Sequence, residues 1–253
     1  MVKEFKSDSL RIKIFENAEA LGRAASTAVA QKLEDTIRLK GRANLILATG
    51  ASQFAFLEYL QKEMVDWEKI TVFHLDEYLG IPESHPASFR KYLKERILDQ
   101  VRPGRVYYLE GDAADTEAEA ARYESLLKDH PIDLACIGIG ENGHIAFNDP
   151  PVADFNDPRL VKKVALDQAC RLQQLGEGWF QSLDEVPTHA LSLTIPAIMS
   201  CTSISCVVPD ERKAKAVFGS VHGEISTACP ASILRRHPDT VLYLDPFSAK
   251  LLS

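Results

Sequence analysis

Ile132-Asp133-Leu134-Ala135-Cys136-Ile137, followed directly by Gly138-Ile139-Gly140-Glu141-Asn142-Gly143-His144-Ile145-Ala146-Phe147-Asn148-Asp149, is the stretch on which the reading of this chain turns. A short apolar run closed by glycines predicts a buried strand over Ile132 to Ile139. The three glycines, Gly138, Gly140 and Gly143, permit tight backbone curvature. A turn leaving the carboxyl end of a parallel strand presents its side chains where open α/β sheets hold their ligands, so His144 is expected on that side.

The same rhythm extends in both directions. Upstream, strands are predicted at Leu10 to Phe15, Asn44 to Ala48, Ile70 to Leu75 and Val106 to Leu109. Helical apolar spacing falls between them at Ala18 to Leu39, Gln53 to Met64, Ala87 to Leu98 and Thr116 to Lys128. Downstream, strands are predicted at Ala190 to Thr194, Ser203 to Val208 and Thr240 to Leu244, with helices at Glu211 to Ser220 and Ala231 to Arg236. This alternation predicts an α/β fold: a three-layer α/β/α arrangement with a mostly parallel, Rossmann-like open sheet. Residues 1–253 show no internal repeat and no low-complexity linker, so one domain is expected. The prolines and Asp/Asn residues of Asn148 to Arg159 predict a long ordered loop.

Bulk properties narrow the function. The net charge of −7 is spread through the chain and offers no basic footprint, so no nucleic-acid partner is expected and any anionic ligand must be held locally. The five cysteines lack paired CxxC spacing, which argues against a disulfide framework or zinc site and for reduced core residues. Met1 to Leu10 is charged and polar with no apolar h-region, and no later run approaches the ~20 residues of a membrane span, so no membrane partner and a cytoplasmic location are expected.

Three segments could carry chemistry. Thr49-Gly50-Ala51-Ser52 lies between a predicted strand and helix, where hydroxyls and free N–H groups could hold a phosphate. The same residues would also serve as an ordinary cap, with Ser52 capping the helix. His74-Leu75-Asp76-Glu77-Tyr78 puts two carboxylates at the carboxyl end of a strand, where one can act as a general base. Neighbours on a strand face opposite ways, so one of Asp76 and Glu77 is expected to reach a ligand and the other to orient the loop, although a solvated turn would use the same pair. In the glycine-rich segment, His144 can move protons in both directions near neutral pH, and Asp149 could orient the imidazole as the acid of a triad does.

These segments reach a recognisable pattern. Thr49 to Ser52, His74 to Gly80 with His85-Pro86-Ala87-Ser88-Phe89, and Gly140 to Pro150 together resemble the glucosamine-6-phosphate deaminases, over about Asn44 to Asp245. The resemblance implies conversion of an amino-sugar 6-phosphate to a ketose 6-phosphate and ammonia, with no cofactor. It makes Asp76 the base that moves a proton from C2 to C1 and His144 the acid/base of ring opening. Asn142 and Asp149 fall at the histidine's two partner positions, where Asp and Glu are common; the shorter Asp149 alters reach to the imidazole. For substrate binding it points to Thr49, Gly50, Ala51, Ser52, Glu77, Gly143 and Lys213, with Arg171 near the position of a family arginine. Spacing over Asp167 to Phe180 departs from the pattern through Gln173-Gln174-Leu175-Gly176-Glu177-Gly178-Trp179, a stretch that could hold sugar contacts or be a helix packed by Trp179 and Phe180. Some relatives are allosteric hexamers; Pro150 to Lys163 offers no matching effector residues, so no allostery is expected, and the chain is expected as a monomer or homo-oligomer.

Two other readings use the same fold. The 6-phosphogluconolactonases typically continue the Gly-His pair with Thr-Ala-Ser and Leu-Phe-Pro, where this chain has Ile145-Ala146-Phe147-Asn148. A sugar-phosphate sensor attached to DNA would need a helix-turn-helix, and the residues before Asn44 read as one strand and one long helix.

Overall fold

The computed structural model describes residues 1–176 and 178–252; Glu177, in the departing stretch noted above, lies outside them. Eleven strands occur among the described residues: β1 (Lys3–Ser7), β2 (Leu10–Ile14), β3 (Ala43–Leu47), β4 (Ile70–His74), β5 (Asp76–Tyr78), β6 (Arg105–Val106), β7 (Leu134–Ile137), β8 (Val161–Ala165), β9 (His189–Leu193), β10 (Ser203–Val208) and β11 (Thr240–Leu244). Eight form one sheet in the order β1-β2-β11-β10-β7-β3-β4-β6. All its pairings are parallel except β1 with β2 at one edge.

Strand alternation assigns side chains to the two faces. Leu45 and Leu47 of β3 pack with α1 (Ala18–Lys40) and α2 (Phe54–Leu60), whereas Ile46 packs with α5 (Thr116–Asp129), α7 (Ile195–Met199) and α8 (Ala214–His222). Both faces are therefore covered, which is why the central strands read as mostly apolar runs. The helix ends follow from local chemistry. Asn17 Oδ1 accepts from Ala20 N to start α1, and Gly41 ends it in the left-handed region at φ 74°. Asp115 starts α5 by accepting from Glu117 N and Ala118 N.

Several boundaries differ from the sequence expectation. The predicted helix at Ala87 to Leu98 is α3 (Phe89–Leu93), a π turn (Lys94–Leu98) and α4 (Asp99–Val101) in succession. The helix predicted to start at Glu211 opens as a 3₁₀ turn (Glu211–Lys213), and Pro230–Arg236 is 3₁₀ throughout.

The feature that positions the site is a second, three-stranded antiparallel sheet in the order β5-β9-β8. After β4 the chain leaves the main sheet and joins this one within two residues, pairing Asp76 with Ser192 and Tyr78 with Ala190. Its core holds Tyr78, Phe147, Val164 and Phe180, packed beside α6 (Gln168–Gly176). No helix among the described residues is long and apolar enough to cross a membrane.

Candidate active site

A cleft opens at the carboxyl ends of β3, β4 and β7, where open α/β sheets hold their ligands. Asp76 and His144, from different strand ends, both line it, as do Thr49, Gly50, Ser52 and Lys213.

Asp76 stands at the crossing between the two sheets. Its main chain is fixed by His74, whose Nδ1 lies 2.9 Å from Asp76 O while its Nε2 accepts from Leu109 N at 2.9 Å. The Leu109 donor requires an unprotonated Nε2, so Nδ1 carries the hydrogen and the ring is neutral. Burial lowers the His74 pKa to about 4, consistent with that state. The Asp76 carboxyl is buried, and its pKa is raised well above the ordinary 3.8 by desolvation, then by Glu77 and Asp149. A carboxylate destabilised in this way is a stronger base than one in water.

His144 is held from behind. Its Nδ1 lies 2.8 Å from Asp149 Oδ1, and Asn142 Nδ2 donates to that same oxygen at 2.7 Å. Asn142 also closes the loop by accepting from His144 N at 3.1 Å. Burial works to raise the Asp149 pKa but is outweighed by the His144 and Asn142 hydrogen bonds and the His144 charge, so Asp149 stays below the ordinary carboxyl value. An ionised Asp149 fixes the Nδ1–H tautomer and leaves Nε2 as the atom that exchanges protons.

The turn carrying this pair is braced on both sides. Phe147 N donates to Ser192 Oγ on β9, Asn148 Nδ2 donates to Leu193 O, and Ala231 N donates to Gly143 O. Gly143 sits at φ 86°, and a Cβ there would come 2.7 Å from Cys229 Sγ. At Gly140 a Cβ would lie 2.1 Å from His144 Nε2, so the imidazole rests against that glycine's bare backbone.

At the opposite wall, Gly50 at φ 94° leads into a 3₁₀ turn (Ala51–Gln53) that runs into α2. Neither helix start has a side-chain cap, so Ser52 does not serve as one. Its Oγ accepts from Gln53 Nε2 at 3.0 Å, which leaves the hydroxyl hydrogen for the cleft. Lys213, at the end of the 3₁₀ turn that follows β10, is buried beside Ser52. Ala51 lines an adjoining hollow that shares Ser52 and Lys213.

Two expected substrate contacts require correction. Glu77 faces away from the cleft and is fully buried in a nest of donors: Ser88 Oγ at 2.8 Å, Tyr78 N, Phe89 N and Arg90 N at 3.0 to 3.1 Å, and Arg90 Nε at 3.2 Å. It anchors α3 to β5. Arg171 donates from Nε and Nη2 to Val186 O at 3.2 and 2.9 Å and also bonds Leu183 O, so it holds the segment after α6 in place. Asn142, Gly143 and Asp149 support the site from behind His144 and do not line it.

In the departing stretch, Trp179 and Phe180 do pack as core, yet Gln173 and Gln174 line the cleft. Two adjacent amides where the pattern breaks were the available signal. Among the described residues no group of three His, Cys, Asp or Glu side chains is placed to hold a metal ion.

Comparison with known proteins places this geometry in context. Residues 16–165 match the family described as glucosamine-6-phosphate isomerases/6-phosphogluconolactonase. The chain is 37% identical over 240 residues to the glucosamine-6-phosphate deaminase of Exiguobacterium sibiricum, covering 95% of this chain and 92% of that one. To the deaminase of Listeria monocytogenes it is 38% identical over 206 residues, covering 81% and 86%. Among solved structures, a monomeric glucosamine-6-phosphate deaminase superposes with a TM-score of 0.85 at 32% identity, over 95% of this chain and 99% of that one. A 6-phosphogluconolactonase from Thermotoga maritima superposes at 0.76 with 19% identity, over 92% and 98%, a likeness of fold alone.

Proposed function

The chain belongs to the glucosamine-6-phosphate isomerase/6-phosphogluconolactonase family, and from that premise we propose that it is a glucosamine-6-phosphate deaminase. The observation that carries the reading is one cleft flanked by a destabilised carboxylate, Asp76, and an imidazole oriented by an ionised acid, His144 with Asp149.

The chemistry follows from those two groups. His144 Nε2 shuttles the proton that opens the pyranose, exposing a C1 aldehyde that acidifies the proton on C2. Asp76 removes that proton and returns it at C1, while a proton lost from the nitrogen ends on O1, so C1 becomes a hydroxymethyl group and the C2 amine an imine. Water then releases ammonia and leaves fructose 6-phosphate. Asp76 and His144 supply these proton transfers, so the reaction requires no metal or organic cofactor. Thr49, Gly50, Ala51 and Ser52 receive the phosphate, with Lys213 supplying a positive charge. Asn142, Gly143 and Asp149 hold the imidazole, and Glu77 and Arg171 act on the scaffold.

Residues 1–253 work as one catalytic unit in the cytoplasm, without nucleic acid or membrane. The unit acts as a monomer or homo-oligomer, and a solved relative described as a monomeric glucosamine-6-phosphate deaminase supports the first. Relatives named as deaminases are 34 to 38% identical, which supports deamination over lactone hydrolysis.

A coupled assay for ammonia from glucosamine 6-phosphate and its galacto epimer, beside a 6-phosphogluconolactone assay, tests the reading. Ammonia release lost in Asp76→Asn and His144→Gln supports it. Lactone turnover without ammonia overturns it.

A further inference from the structure

We propose that Gln174 is a specificity-determining residue that donates from its side-chain amide to a hydroxyl of the bound sugar, with Tyr78 as the residue that aims it. The inference rests on the sugar-phosphate reading of the cleft.

Gln174, on α6, lines the cleft and is only 6% exposed. Its Oε1 accepts from the Tyr78 hydroxyl at 2.6 Å. That hydroxyl is itself immobile: the Tyr78 ring is 1% exposed and boxed by Phe89, Phe147 and Phe180 at centroid distances of 4.9, 5.3 and 5.5 Å. An amide is planar, so pinning its oxygen fixes the direction of both N–H bonds. No acceptor among the described residues meets Nε2. Gln174 lines the open cleft, so a ligand oxygen there can accept from Nε2 in a direction already set by Tyr78.

The chemistry of the donor selects what it reads. An N–H group pairs with a hydroxyl or carbonyl oxygen and not with an ammonium, so Gln174 addresses a hydroxyl of the sugar and not its C2 amine. Discrimination by such a group is strong, because a substrate lacking the oxygen leaves the donor buried and unpaired.

The test uses unreactive ligands: the 2-amino-2-deoxyalditol 6-phosphate of gluco configuration and three analogues, each lacking one hydroxyl at C3, C4 or C5. Affinities are measured by calorimetry for wild type, Gln174→Leu, Tyr78→Phe and the double variant, with ammonia release from the aldose measured alongside. The expected result is about a 10- to 100-fold loss of affinity for the complete alditol in Gln174→Leu. For one deoxy analogue wild type and Gln174→Leu should agree within about twofold, and for the other two the gap should persist. Tyr78→Phe, which keeps the ring packing, should show a smaller loss with the same hydroxyl dependence and add nothing in the double variant. An equal loss for every analogue, or no loss, overturns the inference. If wild type binds the alditols but releases no ammonia, the deaminase reading fails while the deoxy series still decides the role of Gln174. If wild type binds none of them, this inference fails as well.

Discussion

Gly140→Ala isolates the placement of the His144 imidazole from every other property of the site. The added methyl would sit 2.1 Å from Nε2, 2.2 Å from Cε1 and 2.4 Å from Cδ2. Ordinary contact begins near 3.4 Å, so the ring must retreat by about 1.3 Å. Gly140 carries no positive φ, so alanine strains no backbone there and the effect falls on the ring. A misplacement of ~1 Å at reacting atoms costs on the order of 100-fold, so kcat/KM for ammonia release should fall about 100-fold. Movement of the ring also stretches the 2.8 Å contact to Asp149. Gly176→Ala is the control, because a Cβ there meets nothing within 4 Å. Steady-state ammonia release, with thermal unfolding to confirm that both variants fold, provides the measurement. A folded Gly140→Ala enzyme within about threefold of wild type would refute the idea that His144 Nε2 acts from this position.

Other outcomes follow from the same geometry. As the base, Asp76 must be ionised, so kcat/KM should decline toward acid with a midpoint above the ordinary 3.8, and Asp149→Asn, which removes one of the charges raising that pKa, should move the residual activity's midpoint to lower pH. A midpoint unmoved by Asp149→Asn would count against the coupling. His74 has its pKa lowered from 6.5 to about 4, so its neutral form contributes stability that is complete above pH 6.5 and lost as pH falls toward 4. The full swing is about 3 kcal/mol, and urea unfolding of His74→Gln should lack that part of the acid sensitivity. Glu77→Gln removes one of the two carboxylates paired with Arg90, which keeps Asp112, and should cost about 1–3 kcal/mol in chemical denaturation, with a smaller effect on KM than on stability.

Much of the main sheet was legible because both faces are buried. Strands such as β3 and β10 are buried at every position and mostly apolar, interrupted only by Asn44, Ser203 and Ser205, and that signal survives without tertiary context. Of the second sheet only β9 was legible, as the strand predicted at Ala190 to Thr194. β8 is Val161-Lys162-Lys163-Val164-Ala165, with only Val161 and Val164 buried, and β5 is three residues long with two carboxylates. Both become strands because β9 lies between them, a tertiary cause that local pattern does not carry. In the cleft, the positions of Asp76 and His144 at strand ends could be anticipated from the βα rhythm. Strand alternation also anticipated that one of Asp76 and Glu77 would turn from the ligand, but not the donors from α3 that hold Glu77 or the carbonyls near Val186 that hold Arg171.

The short strand β5 sets a rule of frame. Asp76 and Glu77 leave it in opposite directions, one toward the cleft and the other toward Arg90, and the pairing of Asp76 with Ser192 fixes which is which. Sliding that strand by one residue would exchange the two, placing a longer carboxylate over the sugar and a shorter one among five donors. Inserting a single alanine between His74 and Asp76 should therefore silence turnover and loosen the fold together.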